Sequence, residues 1–186
     1  MKSICFLGLT IAGGYFAFSD SFYFEVPKGS VGVIYDRVNN KYEPREYGEG
    51  KYFVNPLTQK AEIINFGYRP IKVTSLIPAT DKIMCEITYE GEFKPNEKRI
   101  LTILNSYGPI FDQAFVPALI NSVLKAEVKQ YSSQEMIQKK QEVESKIVED
   151  IEKKGKELHF EFQHGKISKW EVFNGGNTQD SNPQSQ

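Results

Sequence analysis

Cysteine, histidine and any excess of one charge are scarce in this chain. Cys5 and Cys85 are the only cysteines. The first lies in an apolar N-terminal run and the second in a strand-like segment, so no disulfide framework is expected. Basic and acidic residues number 23 and 24, a net charge of −1. With neither a global positive field nor a basic run, nucleic acid is not an expected partner. No Asn-x-Ser/Thr acceptor occurs, which speaks against a glycosylated secretory protein.

The signatures of nucleotide and hydrolytic chemistry are also missing. Neither G-x-x-x-x-G-K-[ST] nor G-x-G-x-x-G is present, and there is no G-x-S-x-G elbow or H-E-x-x-H helix. His159 and His164 stand five positions apart in a strand-like stretch. An odd separation points them to opposite faces, which does not build a shared metal site. The carboxylates Glu142, Glu144, Glu149, Asp150 and Glu152 are interleaved with lysines, as on a solvated helix face. Gly48-Glu49-Gly50 reads as a turn that needs positive φ rather than an anion nest. The expectation is a protein with no catalytic residue, no cofactor, no metal and no small-molecule substrate.

What the chain does have is 40% hydrophobic residues and 13% aromatics, enough for a packed core. Ile4 to Phe18 is an uncharged run between Lys2 and Asp20. At about 15 residues it is shorter than the ~20 that span a bilayer core. Three readings fit it. A membrane anchor works if Ser19 to Phe24 extends the buried stretch, with Phe22, Tyr23 and Phe24 as an interfacial belt. A cleaved signal peptide fits the length and the small residues Ala17 and Ser19. A core helix of a soluble domain is the third, which Gly13-Gly14 would weaken. On the anchor reading, Ile4, Phe6, Leu7, Leu9, Ile11, Tyr15, Phe16 and Phe18 enter the lipid.

From Val26 the pattern is that of strands. Val31 to Tyr35 alternates, Asn39-Asn40 and Gly48-Glu49-Gly50 are turns, and Lys51 to Asn55 alternates before Pro56. Ala61 to Phe66, Arg69 to Ser75 and Lys82 to Phe93 read as further strands, broken at Pro95-Asn96. The second half is helical. Phe111, Phe115, Leu119, Val123 and Leu124 form a helical stripe within Ile110 to Tyr131, with a start or kink near Pro117. Ser132-Ser133-Gln134-Glu135 is a capping box for the next helix, which ends near Gly155. Met136, Val143, Ile147 and Ile151 form a narrow stripe on that otherwise charged helix and are expected to contact partner proteins. Leu158 to Phe162, Trp170 and Val172 suggest a late strand returning to the sheet, interrupted at Gly165. The fold class is α+β: short strands, two helices, one closing strand. Residues 1–25 are expected to be the anchor, 26–173 the folded domain, and 174–186 a polar disordered tail.

In that order the pieces resemble the prohibitin branch of the SPFH, or band-7, superfamily. The resemblance is carried by Ala12-Gly13-Gly14, Val31-Gly32-Val33-Ile34-Tyr35-Asp36-Arg37, Gly48-Glu49-Gly50 with Lys51-Tyr52-Phe53 and Pro56, Gln59-Lys60 and Arg69-Pro70. Val116-Pro117, Leu124-Lys125 and Glu135-Met136-Ile137 continue it, from about Ala12 to Phe173. It implies a membrane-anchored, non-catalytic domain whose relatives build rings or cages that organise membranes and restrain membrane proteases. It further implies a single-pass protein of the mitochondrial inner membrane, facing the intermembrane space, or of a bacterial inner membrane. The sheet from Val26 would lie near the lipid surface.

Prohibitins continue into a long coiled coil, whereas here Phe173 is followed by a polar tail and the Ser132 helix offers only about three turns of heptad-like stripe. The expected role is therefore an accessory scaffold subunit of a large inner-membrane complex, with the respiratory chain as a candidate. The alternatives are a ring former with prohibitin-like paralogues and a secreted protein after signal cleavage. Expected partners are membrane lipid and other protein subunits.

Overall fold

A computed structural model describes residues 22–173. The sequence elements assigned to residues 1–21 and 174–186, including every proposed lipid-facing residue from Ile4 to Phe18, lie outside the described residues. Those described form two compact units with interleaved boundaries. The first holds the chain up to Gly67 together with Pro95–Pro109, and the second holds Tyr68–Lys94 and the chain from Ile110 onward.

In the first unit, β2 (Ser30–Asp36) is the middle strand of a three-stranded antiparallel sheet, between β3 (Lys41–Tyr47) and β5 (Gln59–Asn65). β1 (Tyr23–Val26) and β4 (Gly50–Phe53) form a separate antiparallel ribbon. Ser30 to Ile34 is buried on both faces, hence the near-continuous apolar run of β2. Gly32 makes one of those contacts possible. A Cβ there would lie 2.6 Å from the Phe24 ring and 2.7 Å from Val26, so the bare backbone lets both rest on β2. β3 carries Pro44 and mostly exposed residues, as an edge strand does. The alternation in Lys41–Tyr47 is polar, which is why hydrophobic patterning gave no strand there.

Helix α1 (Ile100–Tyr107) completes this unit's core with Ile100, Ile103 and Leu104, all essentially buried. A 3₁₀ turn at Glu97–Arg99 leads into it, and Asn96 Oδ1 accepts the Lys98 N–H at 3.0 Å. Gly108 ends it at φ +77°.

In the second unit, β6 (Arg69–Pro78), β7 (Met84–Pro95) and β8 (Phe160–Phe173) form a sheet in that order. The late strand does return to the sheet. It is not interrupted at Gly165: β8 is one continuous strand, and the irregularity there is His164 at φ +52°. Helices α2 (Phe115–Val128), α3 (Ser133–Gln138) and α4 (Lys140–Glu157) cover one face. Val73 and Ile77, Cys85, Ile87, Tyr89 and Phe93, and Phe160 and Phe162 point into this core. The expected single helix after Ser132 is two, divided at Lys139 (φ −106°, ψ 26°), and α4 runs through Gly155 to Glu157. Pro117 falls in the first turn of α2, where its missing N–H leaves no helical bond unmade.

Candidate interaction surfaces and family membership

The stripe expected to meet partner proteins is spent inside the domain. Met136, Val143, Ile147 and Ile151 are each fully buried. Met136 Sδ lies 3.7 Å from Cys85 Sγ of β7, and α4 packs along β8 and α2. Met136 is on α3 and the other three on α4, so these side chains can reach a partner only if the two helices leave their own sheet. The charged residues do face outward, as the solvated-face reading requires: Lys140 and Glu144 pair at 3.8 Å along the helix. Glu127 of α2, nearly buried, takes Lys146 of α4 at 2.8 Å, and this bond raises the lysine pKa.

Two local devices hold the α3 corner. Ser132 caps α3 in a reciprocal capping box with Glu135. Asp81, in the β6–β7 turn, accepts the Ser133 N–H at 3.0 Å and the Ser133 hydroxyl at 2.5 Å. Arg69 at the start of β6 pairs with Asp112 at 2.9 Å, its guanidinium 6.0 Å from the Phe111 ring.

The surface that stands out in the first unit is the outer face of the β1–β4 ribbon. Tyr23 pairs with Phe53 and Glu25 with Lys51 on that face, while Phe24, Tyr52 and Val26 turn inward. Phe53 stacks on Phe22 at 5.9 Å and meets Tyr23 edge-on at 5.8 Å. Tyr23 remains 49% and Phe53 61% exposed. Lys51 Nζ lies 5.3 Å from the Tyr23 ring, adding a cation beside the aromatics. Rings and a lysine together on one open face suit the boundary between lipid and water. In sequence the ribbon follows the apolar run of residues 4–18 after Ser19, Asp20, Ser21 and Phe22.

Among the described residues no group of three or more His, Cys, Asp or Glu could hold a metal ion. His159 (φ +70°) sits in the turn before β8 and His164 at the irregularity within it. No helix among the described residues is long and apolar enough to cross a membrane. Tyr89 is fully buried between β7, β8 and α4 with no hydrogen-bond partner for its hydroxyl, and burial pushes its pKa up to about 12. That is poor preparation for acid–base work near neutrality.

The model of the SPFH domain / Band 7 family matches residues 24–169, across both units, and the chain belongs to that family. Within it, the chain falls in the prohibitin branch. It is 28% identical to Prohibitin-2 of Saccharomyces cerevisiae over 144 residues, covering 77% of this chain and 46% of that protein. It is 26% identical to Prohibitin-2 of Dictyostelium discoideum over 164 residues, covering 87% and 55%. With Mitochondrial prohibitin complex protein 1 of Caenorhabditis elegans it shares 31% over 137 residues, covering 74% and 48%. The chain thus spans about half the length of the curated relatives it matches.

Proposed function

We propose that this chain is a non-catalytic, prohibitin-like scaffold of the mitochondrial inner membrane, assembled with other protein subunits through its folded domain. Residues 1–25 anchor it in a single pass, with the domain facing the intermembrane space. The observation that carries this reading is the open aromatic face of Phe22, Tyr23 and Phe53, which follows the apolar run closely in sequence. Relatives named for mitochondria and for a prohibitin complex support the compartment and the assembly.

The partners favoured are prohibitin-like paralogues, because the relatives include both prohibitin-1 and prohibitin-2. They dock on surfaces other than the Met136–Ile151 stripe of α3 and α4, which is buried within the domain. Gentle extraction of the tagged chain, native sizing and mass spectrometry of what co-migrates test this. A large particle containing prohibitin-like paralogues is the expected result. A large particle dominated by unrelated membrane subunits would make the chain an accessory component of another complex, the respiratory chain included. A small soluble species lacking the N-terminal run would overturn the membrane reading.

A further inference from the structure

The first unit contains a cleft of about 400 Å³ between the β2–β3–β5 sheet and the end of α1. Its floor is one row of the sheet, in which Tyr35 of β2 is paired with Tyr42 of β3 on one side and Lys60 of β5 on the other. The two tyrosine rings meet at 64° with centroids 5.1 Å apart, forming two walls of a corner. Both hydroxyls are tied down: Tyr35 donates to Asn40 Oδ1, and Tyr42 donates to Glu62 Oε2 at 2.8 Å. Glu62 stands beside the rings, its side chain only 10% exposed, with Lys60 3.0 Å from its other oxygen. Burial and the adjoining Glu62 carboxylate raise the Tyr42 pKa, so the ring stays neutral. Lys41 and Asn105 also line the cleft.

Each of these parts has a chemical preference. Two fixed aromatic walls beside a carboxylate suit a weakly hydrated organic cation, which ring quadrupoles attract and which needs no hydrogen bond. The C-terminal end of α1 adds partial negative charge on the same side. Lys41 and Lys60 oppose a simple cation but suit an anion attached to one. The size is that of a small-molecule site.

We infer that this cleft binds a zwitterionic ammonium–phosphate group of the phosphocholine kind, either free or as a lipid headgroup. The ammonium lies against Tyr35, Tyr42 and Glu62, and the phosphate toward Lys41. The inference goes beyond the scaffold reading and stands on the cleft alone.

The test is calorimetric titration of the full chain in a maltoside detergent with phosphocholine. The probes beside it are 3,3-dimethylbutyl phosphate, in which carbon replaces the charged nitrogen, and inorganic phosphate. Phosphocholine is expected to bind at millimolar concentration or below, and the uncharged isostere about fivefold more weakly or worse. Tyr35→Leu should weaken phosphocholine by a similar factor, and Tyr35→Phe, which keeps the ring, should restore it. Lys41→Glu, an exposed change that spares the core, should weaken phosphocholine as well. Competition by monomeric short-chain phosphatidylcholine supports a headgroup ligand, and binding of free phosphocholine without that competition supports a soluble one. Equal binding of phosphocholine and its isostere, no heat with either, or an unaltered affinity in Lys41→Glu would overturn the inference.

Discussion

Asp81 and Ser133, separated in sequence by one strand and two helices, are joined by two hydrogen bonds to a single carboxylate oxygen. The contact ties the β6–β7 turn to the first turn of α3, beside the Ser132 cap. The Ser133 hydroxyl, followed by its backbone N–H, holds the Asp81 carboxyl below the ordinary aspartate value of 3.8.

That depression sets the direction of a pH effect. A carboxyl whose folded pKa is lowered stabilises the fold fully above its unfolded value and loses that contribution as pH falls through the folded one. Glu90, held down mainly by Lys72, and Glu135, held down by the Ser132 backbone N–H, act with the same sign. Thermal melts from neutral pH downward should therefore show the midpoint falling below about pH 4, the ordinary carboxylate range. Asp81→Asn should flatten part of that fall, and an unchanged slope would remove Asp81 from the account.

Ile147→Ala and Ile151→Ala should each cost about 2–5 kcal/mol in urea unfolding, the range for truncating a buried aliphatic side chain. Both residues are fully buried. If they instead served a partner interface, the isolated chain would lose little stability and the assembly would fall apart.

Gly155 faces the Phe162 ring so closely that a Cβ would sit 2.4 Å from it. Gly155→Ala should improve helix propensity yet still destabilise by about 1–3 kcal/mol, because the ring lies in a packed core. Denaturant midpoints check the net effect, and a variant as stable as the wild type would show that the Phe162 ring gives way.

Tyr89→Phe should leave stability unchanged or raise it by up to about 1 kcal/mol, since the hydroxyl it removes is buried without a partner. In a spectrophotometric titration of the folded chain, the wild type should show a late phenolate near pH 12 that the variant lacks.

The outer ribbon face can be tested with a local reporter. The chain has one tryptophan, Trp170. In a Trp170→Phe background, Phe53→Trp should be quenched by brominated lipid when the full chain is reconstituted into vesicles. Trp170 in the unaltered chain should be quenched far less. Equal quenching at both positions would count against a lipid-facing ribbon.

Much of the framework was legible from residue order. The Ser132–Glu135 capping box, the apolar β2 strand and the return of the late strand were all written in local spacing, whereas β8 runs unbroken through Gly165, where the sequence pattern predicts an interruption. Helix α1 is not among the expected elements, although Ile100, Ile103, Leu104 and Tyr107 carry its period and Asn96 caps the 3₁₀ turn that leads into it. The run is only two turns long, and Pro95-Asn96 just before it carries the stronger local signal, that of a strand end. The α4 stripe shows the deeper difficulty. Helical periodicity identifies a face that needs covering but not what covers it. Its partner turned out to be β8, whose alternation is weakened by the positive φ at His164. The Tyr35–Tyr42–Glu62 corner needs three strands in register, and no spacing along the chain announces it.

The interleaved units constrain how this chain can be made. The first unit has its five described strands by Gly67, but its helix arrives only with Ile100–Tyr107, after β6 and β7 have been synthesised. On the ribosome, the apolar face awaiting Ile100, Ile103 and Leu104 stays open while those two strands emerge. β7 must in turn wait for Phe160 onward before its second neighbour exists. Neither unit can close before part of the other has been threaded, so the growing chain exposes unpaired edges for longer than a sequential two-domain protein would. A nascent chain of this design has reason to need a holding chaperone until β8 is released.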